Sequence, residues 1–504
     1  MSLKKNVIAN YLGSGWVSVM NILFVPYYIH YLGMESYGLI GFYTMLQTCL
    51  TLLDMGMSTT LSREMARFTG GDHSPLTIKD LLRSFEILCF SLAGIYLLGI
   101  FASADWVAQN WLQAKQLSPQ VVARAFQIMG LVTALRFIEG LYRSAIIGMQ
   151  EQVTLNLANA FMATMRGFGA VVVLAYFQPT IQAYFFWQSL VSFATLGMFA
   201  AILYANLPKT ARKGRFCRDE LKKIWRFAGG IMATTFFAIL LTQVDKIILS
   251  RILTLEEFGN YSLASTVANI LAMLIGPITQ AHYPRFSELV SQKNAEALQS
   301  VFHCGAQLAT IVCGSAAMAL FFFGNRIVAI WTGDEEMAER IFWILRIMTL
   351  GTFFNTLWHI PYMIQLAFGW SGFAARVNFI SVIILVPAMF FATQRWGAPG
   401  AAFIWLLLNA GYVFIASHFM FKKIIPTEKW RWFVGDLFLP IIIISGLSWF
   451  FFHARPTIES QFLELTYIAC AGLISIFFAG IFSFELRESL KSIFKQRFSQ
   501  EGAL

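Results

Sequence analysis

Charge is scarce in this chain. Asp, Glu, Lys and Arg make up 13% of its 504 residues, where an average soluble chain carries about 25%. Cysteine is scarcer: Cys49, Cys89, Cys217, Cys304, Cys313 and Cys470 form no CxxC pair and have no histidine at metal-ligand spacing. They read as reduced structural residues, which excludes a disulfide scaffold or a zinc ribbon, and no metal or cofactor is expected. The GxxxxGK[ST] loop is missing, which argues against self-contained ATP-driven work. Long polar connections are missing too. The longest, near residues 58–80 and 207–224, run to about twenty residues and leave no room for a soluble catalytic domain.

Apolar surface takes the place of charge. Hydrophobic residues make up 57% of the chain, with 49 Phe and 14 Trp, and the mean hydropathy is +0.63. The expectation is an all-α polytopic membrane protein, because a bilayer core about 30 Å thick needs about 20 helical residues per span. About fourteen such stretches occur, near 7–31, 38–57, 81–103, 120–147, 154–176, 181–206, 225–250, 260–284, 299–323, 338–366, 374–394, 398–421, 433–452 and 463–484. The first follows Lys4 and Lys5 and is too long for the core of a cleavable signal peptide, so it reads as a retained anchor.

Positive charge orients the spans. With the N-terminus in the cytoplasm, 26 of the 37 Lys and Arg residues fall in cytoplasmic segments, 5 on the opposite side and 6 inside spans. That asymmetry predicts two cytoplasmic termini. Eight of the basic residues lie between Lys209 and Arg226, a topology signal facing anionic lipid that accounts for much of the +10 net charge without a nucleic-acid partner.

The chain also repeats. At an offset of about 221 residues, Tyr37-Gly38 falls on Phe258-Gly259 and Gly148 on Gly369, while Asn156 comes within one residue of Asn378 and Pro179 within one of Pro399. Six spans per repeat keep both copies in one orientation, so two lobes related by an axis along the membrane normal are expected, with a cavity between them. The predicted organisation is an N-lobe (spans 1–6, residues 1–207), a basic inter-lobe loop (208–224) and a C-lobe (spans 7–12, residues 225–425). Two appended helices (426–486) and a cytoplasmic tail (487–504) follow.

Particular residues carry a resemblance. The region from Phe227 onward, with QVDKIILSRILTLEEFGNYSLAS at Gln243–Ser265, resembles the Wzx-type oligosaccharide flippases of the polysaccharide transporter family. Asn10–Tyr43 is similar to that family's opening helix pair and DMGMSTTLSREMAR (Asp54–Arg67) to the segment after it. YPRFSEL (Tyr283–Leu289) and WGAPGAAFIW (Trp396–Trp405) are similar to segments near spans 8 and 12. The resemblance implies the twelve-helix, two-lobed core of the multidrug/oligosaccharidyl-lipid/polysaccharide exporter superfamily, plus two extra helices. It implies a monomeric flippase of the bacterial inner membrane that moves undecaprenyl-pyrophosphate-linked oligosaccharide, an O-antigen or similar repeat unit, from the cytoplasmic to the periplasmic leaflet. The mechanism expected is alternating access coupled to a Na+ or H+ gradient, with the lipid-linked oligosaccharide, the bilayer and a polysaccharide polymerase as partners. A lipid II flippase and a multidrug cation antiporter on the same fold stay open as alternatives, although the antiporter would want buried carboxylates to exceed buried bases, the reverse of this chain.

Intramembrane charges locate the chemistry, since each costs about 2.5–3.5 kcal/mol at a span's centre on insertion scales and needs a partner or a task. Arg136, Glu139 and Arg143 stand at i, i+3 and i+7, within about 60° on one helical face. Arg166 lies mid-span beside Gly167 and Gly169, and Arg346 and Lys246 sit in later spans. A guanidinium is permanently charged and presents a planar fork of donors that fits phosphate. Arg136, Arg166, Arg346, Lys246 and Arg143 are therefore the candidate substrate-binding residues, and Asp245, Glu139 and Asp54 the candidates for ion coupling or charge balance. The plainer alternatives are that Arg136 pairs with Glu139, Arg143 snorkels to the headgroups and Asp54 caps the turn before Gly56. His282 and His359 are candidates to titrate, although lone helical histidines are usually satisfied core residues. Pro26, Pro277, Pro361 and Pro387 are candidate hinges.

Overall fold

The computed structural model describes residues 3–54, 56–72, 74–208, 212, 214–217, 236–237 and 239–488. Most of the basic loop, the start of the seventh expected span and the tail from 489 onward lie outside the described residues. The helices are α1 (Leu3–Leu23), α2 (Val25–Leu50), α3 (Met57–Thr69), α4 (Pro75–Trp106), α5 (Pro119–Gly148), α6 (Gln152–Tyr176) and α7 (Ile181–Asn206). Then come α8, described over 239–252, α9 (Leu255–Ala268), α10 (Ile270–Ser291), α11 (Ala295–Thr332), α12 (Glu335–Ala367) and α13 (Ser371–Gly411). The chain ends in α14 (Ser417–Ile424), α15 (Lys429–Arg431), α16 (Leu439–His453) and α17 (Gln461–Phe482). Among the described residues the one β feature is an isolated bridge between Gln113 and Thr254.

Ten helices among the described residues are long and apolar enough to cross a membrane, or up to eleven if the bent pair α1–α2 is one span. The count of fourteen expected spans is not confirmed among the described residues. Two of them, 374–394 and 398–421, fall on the two parts of α13 on either side of a non-helical break at Gly397 (φ 59°, ψ −139°). Another, 225–250, is described only in part. The helices start where the sequence offers a cap: Ser74, Ser118, Thr180, Asn294 and Asp334 each accept a hydrogen bond from the first turn of α4, α5, α7, α11 and α12, satisfying a backbone donor that has no partner inside the helix. Pro75 and Pro119 follow their caps directly, where a missing N–H does no harm.

The chain forms two compact units, Met1–Gly259 and Asn260–Leu504. In the first, α5 packs on α3, α4 and α7, α6 packs on α1 and α7, and a core built around Leu61, Met65, Phe85, Leu141, Ile146 and Phe199 holds α3, α4, α5 and α7 together. In the second, α11 is the hub, packed against α10, α12, α16 and α17, with Phe302, Phe286, Phe421 and Trp432 in the core. Outer faces are apolar: Leu98, Phe193, Phe391, Ile442 and Phe477 are all more than 60% exposed, which suits contact with lipid.

Candidate functional site

In the first unit Arg136, Glu139 and Arg166 come together from the middles of α5 and α6. Close packing fixes the backbone of Arg166. A Cβ on Gly167 would lie 2.2 Å from the Phe24 ring and one on Gly169 2.2 Å from the Trp187 ring, so both positions need glycine for α6 to seat against these rings. The Trp187 indole then donates to the Met165 carbonyl at 3.0 Å. The Arg166 guanidinium donates to Thr195 Oγ1 at 3.2 Å and stands 3.5 Å from the Glu139 carboxylate, a separation beyond hydrogen-bond length where the attraction is Coulombic. Arg136 donates to Gln47 Oε1 at 3.0 Å and lies over the buried Tyr43 ring at 5.6 Å.

Glu139 contacts Arg166 and leaves Arg136 to Gln47, so the three charged side chains together are net positive. The Nε donors of Arg136 and Arg166 are buried and have no hydrogen-bond partner among the described residues. Charged donors with capacity to spare, half-buried in an apolar helical frame, favour an acceptor-rich anion.

The other candidates are placed separately. Arg143 is exposed on α5, Lys246 half-buried on α8 and Asp245 buried beside it. Asp54 accepts from the Ser58 hydroxyl at 2.6 Å and the Ser58 N–H at 3.1 Å, which closes the turn into α3. Arg346 belongs to the second unit. Its Nε donates to the Phe321 carbonyl at 2.8 Å, and its guanidinium lies 4.0 Å from the Phe342 ring centre and 5.3 Å from that of Trp343. His282, half-buried on α10, donates from Nδ1 to the Ile278 carbonyl at 2.8 Å, whereas His359 lines a cavity with Asn355, Trp358 and Tyr412.

Sequence reasoning missed two buried ionic knots. His303, fully buried on α11, sits between the carboxylates of Asp436 and Glu428. Gln307 donates to Asp436 at 2.9 Å, and Arg431 bridges Glu428 and Glu485. Glu86, buried on α4, accepts from Tyr142 at 2.8 Å and Tyr204 at 2.6 Å and pairs with Arg83 at 3.0 Å. Apart from the i,i+3 pairs Arg83–Glu86 and Arg431–Glu428, these partners lie more than fifty residues apart and leave no periodic signal in the sequence.

Helices of this length, lipid-facing apolar exteriors and mid-span charge define a multi-pass membrane protein. The chain matches the profile of the polysaccharide biosynthesis protein family over residues 3–290, more than half its length, and it belongs to that family. Residues 231–391 also match the MatE profile. A Shigella flexneri protein named "Putative O-antigen transporter" is 21% identical over 405 residues, covering 80% of this chain and 94% of that one. The Escherichia coli K12 "Lipopolysaccharide biosynthesis protein WzxC" is 24% identical over 302 residues, covering 58% of this chain and 59% of that one. A structure of the lipid II flippase MurJ in an inward closed conformation shares the fold with a TM-score of 0.69 at 12% identity, covering 96% of this chain and 99% of that one.

Proposed function

We propose that the chain is a flippase for a lipid-linked oligosaccharide of the bacterial inner membrane, and that Arg136 and Arg166 hold the pyrophosphate of the lipid linkage. The observation carrying this reading is the cluster of two guanidiniums, Arg136 held by Gln47 and Arg166 held by Thr195, with Glu139 contacting Arg166. Family membership and the names of the relatives support the substrate class. In the same reading Arg346, Lys246 and Arg143 are further contacts along the path, Asp245, Glu139 and Asp54 balance charge or couple a Na+ or H+ gradient, and both termini are cytoplasmic. The lobes span residues 1–207 and 225–425, and alternating access between them moves the headgroup while the polyprenyl tail stays in lipid.

The test is glycan export in flippase-deficient bacteria complemented with this chain. Arg136→Ala and Arg166→Ala should each lower export at least tenfold while membrane levels stay at those of the wild type. Wild-type export by both variants would remove the site. The likeness to a lipid II flippase supplies a second reading. Rescue of cells lacking their lipid II flippase, without rescue of surface glycan, would favour it.

A further inference from the structure

A cavity of about 290 Å³ in the second unit opens among α12, the first turns of α13 and Tyr412. We propose that it binds one uncharged sugar ring of the transported glycan, through Trp358, Tyr412, Tyr362, Asn355, Asn378 and His359. This rests on the flippase reading and adds to it a saccharide subsite whose chemistry differs from that of the arginine cluster.

The lining is that of a saccharide site. A pyranose presents a face of C–H groups with slight positive charge and a rim of hydroxyls that donate and accept. Aromatic faces are electron-rich and attract the C–H face, while fixed amides meet the rim. Here Trp358 and Tyr412 lie nearly parallel, 15° apart with centroids at 6.3 Å. Phe373, also in the wall, stacks on Trp370 at 4.4 Å.

The amides are held in place. Asn355 donates to Asn409 at 2.7 Å, His359 Nε2 lies 3.3 Å from Asn355 Oδ1, and the Tyr412 hydroxyl donates to Asn378 at 3.0 Å. Hydrogen-bonded first contacts of this kind bind without first having to be ordered. The Trp358 indole N–H, the Asn378 amide N–H and the Tyr362 hydroxyl stay available, with no hydrogen bond among the described residues. No Arg, Lys, Asp or Glu lines the cavity, which disfavours both a phosphate and a metal ion. The volume lies at the lower end of ligand pockets, about 300–1,000 Å³, and suits one ring rather than a whole oligosaccharide. Tyr412 also opens a π-helical turn, Tyr412–Ala416, a distortion that recurs at functional sites.

The internal repeat sharpens the point. At the offset of 221–222 residues, α5 corresponds to α12, and α6 and α7 to the two parts of α13. Arg136 then falls on Leu357–Trp358, Arg166 on Pro387–Ala388, and Gln188, which contacts the Arg166 carbonyl, on Asn409. The duplicated corner has lost its guanidiniums in the second unit and holds rings and amides instead. One copy carries the chemistry of an anion site and the other that of a neutral saccharide site.

Saturation-transfer difference NMR on the full-length protein in lipid nanodiscs tests this directly. The probes are glucose, galactose, rhamnose and N-acetylglucosamine, their β-linked disaccharides, inorganic pyrophosphate and tetraphenylphosphonium. At least one saccharide should show saturation on the C–H protons of one ring face. That signal should fall at least fivefold in Trp358→Ala and Tyr412→Ala, persist in Trp358→Phe, which keeps a stacking face, and persist in Arg136→Ala and Arg166→Ala. Pyrophosphate binding should do the reverse, so failure of the arginine site and failure of this one are separable. Saccharide signal unchanged in Trp358→Ala and Tyr412→Ala, no signal from any saccharide, or tetraphenylphosphonium displacing the saccharide from the wild type would each overturn the proposal.

Discussion

Arg136 and Arg166 differ from other cations of the chain in how their charge is met. Arg326 is fully matched, held by Glu464 and Glu335 at 3.0 Å each, while Arg346 rests among aromatic faces that attract a cation without neutralising it. Only half the charge of the Arg136–Arg166 pair is balanced by Glu139. His303 shows the opposite case. Its two ring nitrogens each face a carboxylate, and the imidazole joins α11 to the segment carrying Glu428 and Asp436. His303→Ala would leave two buried carboxylates short of a donor, and breaking a buried pair costs about 3–5 kcal/mol. Purified His303→Ala should therefore unfold at clearly lower temperature or denaturant than the wild type, while an unchanged midpoint would mean that the knot is not structural. Arg136, Glu139 and Arg166 were legible in the sequence because charge in an apolar span is conspicuous by itself. That Glu139 meets Arg166 across helices rather than Arg136 on its own helix was not legible, since the i+3 spacing pointed to the local pair. His303 escaped notice because its carboxylates lie 125 and 133 residues away.

Glycines set how closely the helices approach. Gly38 on α2 and Gly259 on α9 stand at repeat-related positions, and a Cβ on Gly38 would lie 2.1 Å from the Leu255 carbonyl oxygen. Backbone cannot rotate out of the way, so Gly38→Ala must push the helices apart, at an overpacking cost of about 1–3 kcal/mol. Gly94 on α4 would meet nothing within 4 Å, and alanine there favours the helix by about 0.8–1.0 kcal/mol. Thermal melts in detergent should show Gly38→Ala destabilised and Gly94→Ala at or above the wild type; equal midpoints would contradict the close-crossing account. Hydropathy located nearly every helix, because a span in lipid must be apolar along its whole length. It placed the ends poorly: α11 runs over Ala295–Thr332 where 299–323 is apolar, as helices continue past the apolar stretch on capping and polar turns. Gly397, which stands between two spans in the sequence, is a non-helical break (φ 59°, ψ −139°) between the two helical parts of α13.

At the scale of the whole chain, the proposed six-span repeat sets cationic side chains in α5 and α6 against aromatic and amide-bearing ones in α12 and α13. The charge asymmetry of the loops and the offset of about 221 residues are properties of the sequence itself, each a sum over many residues, and the orientation and lobes drawn from them belong to the proposal. The partition of chemistry between the copies was not readable there, because it depends on which side chains share a wall. All of this turns on the cluster's net positive charge meeting an anionic cargo. The direct measurement is the rate at which the protein, reconstituted in liposomes, flips a fluorescent polyprenyl-pyrophosphate disaccharide. The double variant Arg136→Ala/Arg166→Ala should flip at least tenfold more slowly than the wild type, and Glu139→Gln, which keeps both cations, should still bind the lipid. Equal flipping by the double variant and the wild type would contradict the account.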